Sequence, residues 1–275
     1  MDAVPGERLE RTGLREVFRD DLTGPAPDPA RWVAHYMPHW STPERSAARW
    51  APGDGRGDGP RDGLRLLVEA DQPAWRPEDG GLRVSSLQTG VTCGPAGSTT
   101  GQHRHRPDLR VRTPVPRRAL WTPSRGVVEA VLSAPADPAG MSALWLVGLE
   151  DEPGESGELC VAELFGSAAG ERASAVRSGV KAHHDPHLRD DVADVPVPFD
   201  TREPHAYAVE WDGRRTRCYA DGALLRTVEQ SPAYPLVLVV SLFEFAGTGE
   251  RDPARYPLSA RVGPVRGWER TGATA

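Results

Sequence analysis

The stretch Leu236-Val-Leu-Val-Val-Ser-Leu-Phe243 is apolar at alternate and intervening positions alike. Successive side chains of a strand point to opposite faces, so such a run belongs at the centre of a sheet covered on both sides. No helical periodicity of more than about three turns accompanies it anywhere in the chain. Gly 29 and Pro 27 together make about a fifth of the 275 residues, which favours many short strands joined by turns. Leu64–Val68 and Gly126–Leu132 are short, apolar and bounded by turn residues. Tyr207-Ala-Val-Glu-Trp211 alternates with period two, as a half-buried strand does. Asp221-Gly222 lies between two apolar runs, and both residue types accept the positive φ of a tight hairpin turn. The expectation is an all-β chain, an antiparallel β-sandwich. One domain should cover residues 16–270, after a flexible N-terminal arm over 1–15. The irregular stretch from Trp32 to Pro60 also carries Tyr36, Trp40 and Trp50, too many aromatics for a disordered segment.

Several classes of function are excluded by charge and composition. Charged residues make up 26% with signs well mixed, for a net charge of −6. No basic stripe results, so nucleic acid is not an expected partner. No apolar run approaches the roughly 18 residues a membrane span needs. Arginine supplies almost all the positive charge and Lys181 is the only lysine, a pattern of GC-rich coding more than of chemistry. The opening residues lack the basic-then-apolar pattern of a secretory leader, so a cytoplasmic location is expected, or a secreted one if a leader has been removed. Cys93, Cys160 and Cys218 are odd in number and lack CxxC spacing, against a disulfide framework or a structural zinc site. His183-His184-Asp185-Pro-His187 lacks the ligand spacing of a metal site, and its Asp-Pro marks a loop. It is read, like His35, His39, His103 and His105, as solvated or cleft-lining, and no metal or cofactor is expected.

The sharpest chemical feature is Gly157-Glu-Leu-Cys-Val-Ala-Glu-Leu-Phe-Gly166, with Glu158 and Glu163 in an otherwise apolar strand. Burying a carboxylate without a partner or a purpose costs free energy, and two such positions in one strand call for a reason. Glu158 and Cys160 share a face, while Glu163, five residues on from Glu158, points away in a regular strand. One β-bulge between Cys160 and Glu163 returns Glu163 to the same face, and bulges are frequent beside active sites. The glutamates are then about 13 Å apart at Cα. Inward-leaning side chains bring that towards the ~5–5.5 Å at which retaining glycosidases hold their carboxyl pair.

With its neighbours, this motif resembles glycoside hydrolase family sixteen. The family's bulged signature is Glu-x-Asp-x-x-Glu, and this chain reads Glu158-Leu-Cys160-Val-Ala-Glu163. Ala143-Leu-Trp145-Leu is similar to the strand preceding the motif, and Arg125-Gly-Val-Val-Glu129 to the family's Tyr-Gly-Arg-Phe-Glu strand. His205–Trp211 followed by Arg217–Gly222 resembles its later hairpin. The resemblance implies a concanavalin A-like jelly roll and a retaining endo-β-glycoside hydrolase or transglycosylase. Glu158 would be the nucleophile and Glu163 the acid/base, with Cys160 auxiliary. Trp145, Trp121, His183, His184 and Glu244 are the candidate substrate-binding residues, and a carbohydrate is the implied ligand. The pattern departs from the family at three places. Cys160 replaces the middle Asp, Met141 stands where a tryptophan is usual, and Ala260–Arg266 lacks the Asp that often completes a calcium site. The alternative is a repurposed jelly roll whose cleft binds a carbohydrate or other small molecule without hydrolysing it.

Overall fold

The computed structural model describes residues 6–53, 63–245 and 252–271. The strands of the first half are β1 (Leu14–Asp20), β2 (Arg49–Pro52), β3 (Leu64–Val68), β4 (Arg83–Gln88), β5 (Gly90–Val91), β6 (Arg118–Ala119), β7 (Gly126–Leu132) and β8 (Gly140–Gly148). Those of the second are β9 (Glu158–Phe165), β10 (Ser174–Lys181), β11 (Asp191–Val197), β12 (His205–Trp211), β13 (Thr216–Ala220), β14 (Ala223–Val228), β15 (Leu236–Glu244) and β16 (Leu258–Arg270). Among the described residues the only α-helix is one turn, Pro43–Ser46, and no helix is long and apolar enough to cross a membrane.

Two antiparallel sheets face each other. One runs β14-β13-β12-β7-β16-β3-β2, with β1 paired to β16, and the other runs β11-β10-β9-β8-β15-β4. β5 and β6 form a small separate ribbon. The architecture is an all-β jelly-roll sandwich.

β15 shows why its sequence is apolar on both faces. Leu236, Leu238, Val240 and Leu242 enter the core between the sheets. Val237, Val239 and Phe243 belong to a second cluster on the far side, with Tyr36, Trp40, Trp75 and Leu109. Those last four come from loops that wall the outer face of the six-stranded sheet. The aromatic-rich stretch after Trp32 supplies much of this cover, and Trp32 and Trp40 are 2% and 0% exposed. Both indole N–H groups are satisfied, Trp32 donating to Asp20 Oδ2 at 2.8 Å and Trp40 to the Gln102 carbonyl at 2.8 Å.

The Asp221-Gly222 turn closes the β13–β14 hairpin with φ of 46° and 75°, the left-handed pair that such a turn demands. Of the arm expected over residues 1–15, residues 1–5 lie outside the described residues. Residues 7–9 are held on that hairpin: the Leu9 N–H donates to the Gly222 carbonyl and the Leu224 N–H to the Glu7 carbonyl. The stretch from residue 54 to Pro60 also lies outside the described residues.

Candidate active site

β9 lies between β8 and β10, and its side chains divide cleanly between two environments. Leu159, Val161, Ala162 and Leu164 enter the core between the sheets. Two consecutive residues on one face require a bulge, and the register shows it. On β8, Leu144 faces Ala162 and Trp145 faces Cys160, which leaves Val161 unmatched. On the other side, Arg177 faces Glu163 and Gly179 faces Cys160, so Val161 and Ala162 oppose one residue of β10. The extra residue turns Glu163 back onto the face of Glu158 and Cys160. All three are buried, at 4%, 1% and 0% exposure, and ligand atoms of the three lie within 4.8 Å of one another.

Lys181 completes the group. It faces Glu158 across the β9–β10 ladder, and its ammonium bridges both carboxylates, 3.0 Å from Glu158 Oε1 and 2.6 Å from Glu163 Oε1. Trp145 Nε1–H donates to the same Glu163 oxygen at 3.1 Å, and the ammonium lies 5.3 Å from the Trp145 ring centre, within cation–π range. His183 Nε2–H donates to Glu158 Oε2 at 2.8 Å. Burial works against ionisation of Glu158, but the His183 hydrogen bond and the Lys181 charge outweigh it and bring its carboxyl down to about 2. Burial likewise opposes the Lys181 ammonium, yet Glu158 and Glu163 hold its pKa above the ordinary lysine value. The Cys160 thiol is pushed well up by burial and by Glu163. It remains protonated and donates to the Arg177 carbonyl at 3.5 Å.

Glu158, Lys181, Trp145 and His183 form the floor of a cleft of about 270 Å³, and Glu163 and Cys160 lie buried beside them. Tyr36, Trp75, Leu82, Met141, Phe243 and Phe245 are its apolar walls, and His103 and His105 reach in from a loop. Of the residues singled out from sequence, Glu158, Glu163, Cys160, Trp145 and His183 come together here. His184 does not reach the glutamates; its ring contacts the Arg104 carbonyl at 2.9 Å. Trp121 lies elsewhere, stacked on Phe18 with centroids 4.3 Å apart. It lines a broader depression of about 780 Å³ beside β1. Glu244 follows cleft-facing Phe243, and strand alternation turns it to the other face. There the Tyr256 hydroxyl donates to its Oε1 at 2.6 Å and Arg83 lies 3.5 Å from its Oε2.

Sequence reading missed Lys181, Tyr36 and Trp75 as cleft residues, and for His103, read as solvated or cleft-lining, it gave no link to Glu158. For Lys181 a signal existed, since the only lysine of the chain stands close to the acidic motif. Its meaning depends on the β9–β10 register, which a sequence does not display.

Fold and floor together define a concanavalin A-like jelly roll with paired carboxylates in a walled cleft. Solved structures of this architecture superpose on nearly the whole chain. A GlcNAcα1-4Gal-releasing endo-β-galactosidase from Clostridium perfringens does so with a TM-score of 0.77 and 22% identity, over 98% of this chain and 66% of that one. This chain thus spans just under two thirds of that protein. SCLam, a non-specific endo-β-1,3(4)-glucanase from family GH16, gives a TM-score of 0.65 at 15% identity, over 96% and 94% of the two chains. A laminarinase from Rhodothermus marinus gives 0.62 at 18% identity, over 93% and 97%. At such identities the likeness establishes the fold, which is the jelly roll of these glycosidases. No protein-family model and no curated protein matches the sequence.

Proposed function

We propose that this protein is a retaining hydrolase or transglycosylase acting on a β-linked glycan. One observation carries the reading: the bulge in β9 puts the Glu158 and Glu163 carboxylates on the same face of the strand, within 4.8 Å of each other, with Glu158 lining the cleft. That spacing suits a double-displacement mechanism and leaves no room for a water between the carboxylates, as inversion requires. Glu158, ionised and held by His183, attacks the anomeric carbon. Glu163 protonates the departing glycosidic oxygen and then takes a proton from the water, or from the acceptor sugar hydroxyl, that releases the glycosyl-enzyme. Trp145 offers an aromatic face to the sugar and fixes Glu163 through its indole N–H.

The test is incubation with β-1,3-, β-1,4- and galactan oligosaccharides, reading product and its anomeric form by NMR. Retained configuration from wild type and none from Glu158→Gln is the expected result. No product from either protein across the panel would sink the reading.

A second reading rests on Cys160 and Lys181. The position between the glutamates is a neutral thiol, and a cation bridges both carboxylates. Such a floor suits a cleft that binds a carbohydrate or other small molecule without cleaving it. Calorimetry separates the two: ligand binding that survives Glu163→Gln, with no turnover in wild type, favours this reading.

A further inference from the structure

A second constellation converges on the other oxygen of Glu158. His183 Nε2 lies 2.8 Å from Oε2 and His103 Nδ1 lies 3.9 Å from it. All three ligand atoms are within 4.8 Å of one another. His103 Nδ1 is buried and has no hydrogen-bond partner, although the residue is only 8% exposed. A buried polar nitrogen left unpaired is costly and asks for an explanation. The two rings stand edge to face with centroids 5.0 Å apart.

The backbone is bent to achieve this. His103 and His183 have φ of 56° and 50°, left-handed values that carry strain for a side chain of this size. Glu150, at φ 58°, accepts the His103 N–H on its carboxylate and pins the loop.

We propose that His103 Nδ1, Glu158 Oε2 and His183 Nε2 bind one divalent transition-metal ion, with its remaining coordination positions turned to the cleft. Bonds of about 2.0–2.2 Å place neighbouring ligand atoms roughly 3 Å apart, so a small inward shift of His103 closes the site. Two imidazoles and one carboxylate suit zinc, cobalt or iron more than calcium or magnesium. The ion does not need Oε1, which Lys181 engages. In the neighbouring set of Glu158, Cys160 and Glu163 the Lys181 ammonium already bridges the two carboxylates and holds the place of a cation.

The site does not depend on glycosidase activity. If Glu158 is also the nucleophile, the ion must block turnover, because the Oε2 lone pair cannot serve both. Direct binding measurement keeps the two readings apart.

The experiment is calorimetric titration of the full chain, stripped with EDTA and dialysed, with zinc chloride. One ion per chain is expected in wild type and in the His184→Gln/His187→Gln double variant. Loss of one ligand, in His103→Gln or His183→Gln, should weaken binding by about a hundredfold or more. Cobalt(II) loaded into wild type reads the ligands without any variant. Visible bands with no thiolate charge-transfer band support the nitrogen–oxygen set, and a thiolate band overturns it. The proposal also falls if wild type binds no zinc, if binding survives His103→Gln, or if it vanishes in the His184→Gln/His187→Gln variant. Zinc binding with no glycan hydrolysed by the EDTA-stripped protein would leave this site standing and remove the glycosidase reading, and hydrolysis by a protein that binds no zinc would do the reverse.

Discussion

The Lys181 ammonium, 3.0 Å from Glu158 Oε1, favours the ionised form of that carboxylate. For the nucleophile this sets the lower pH limit of activity, because Glu158 must be charged to attack. With its carboxyl held near 2, wild type should show no acidic limb in kcat/KM above about pH 3. Lys181→Met removes the cation but leaves the His183 hydrogen bond. The Glu158 carboxyl then rises, and an acidic limb should emerge about one to two pH units higher. Initial rates from pH 3 to 8 on both proteins check this, and an unchanged profile removes Lys181 from the charge balance of the site. The glutamates were legible in the sequence because two carboxylates in so apolar a strand need a purpose. The approach of His103 to Glu158 was not, since His103 arrives from a loop far upstream and no spacing connects it to the acidic motif.

The bulge in β9 is the element on which the site depends, and β10 is shaped to receive it. Gly179 faces Cys160 at the shifted register, with φ of 145°. A Cβ there would meet the Asp191 carbonyl oxygen at 2.0 Å and Arg226 Nη1 at 2.8 Å. The first of these is backbone of the adjoining strand and cannot swing aside. Gly179→Ala must therefore push β10 from β11 and distort the ladder that holds Lys181 under Glu158. A loss of roughly 2–4 kcal/mol is expected, read from the urea midpoint, with activity reduced in the protein that remains folded. A midpoint equal to wild type would contradict this packing. The bulge was open to inference because strand alternation alone would send Glu163 into the core. The glycine was not, since nothing in the sequence says which strand lies beyond it.

At the scale of the whole molecule, the loops after Trp32 and the outer face of the six-stranded sheet make a narrow, largely aromatic trough. Its apolar lining was legible as a strand run apolar on both faces, but not as a cleft, because only the fold shows which loops cover which strands. From Trp145 the trough continues through Phe243, at a centroid distance of 5.3 Å, to Phe245 and Phe165, each step about parallel at 6.3 Å. Arg177 lies over Phe165 at 4.9 Å. Phe245 is 40% exposed and stands out as the exposed large hydrophobic side chain among the described residues. Packing does not require it, so a role in contacting ligand accounts for it better. Under the proposed function, successive sugar rings lie along this track, with the scissile bond at Glu158 and Glu163. Phe245→Ala should then leave the thermal midpoint within the range of an ordinary surface substitution. An aromatic platform contributes about 0.5–1.5 kcal/mol beyond area burial, so KM for the longest oligosaccharide cleaved should rise about threefold to tenfold, with kcat little changed. The shortest substrate, too small to reach Phe245, should show no difference. Equal loss on short and long substrates would mean that Phe245 supports the cleft wall instead of binding sugar.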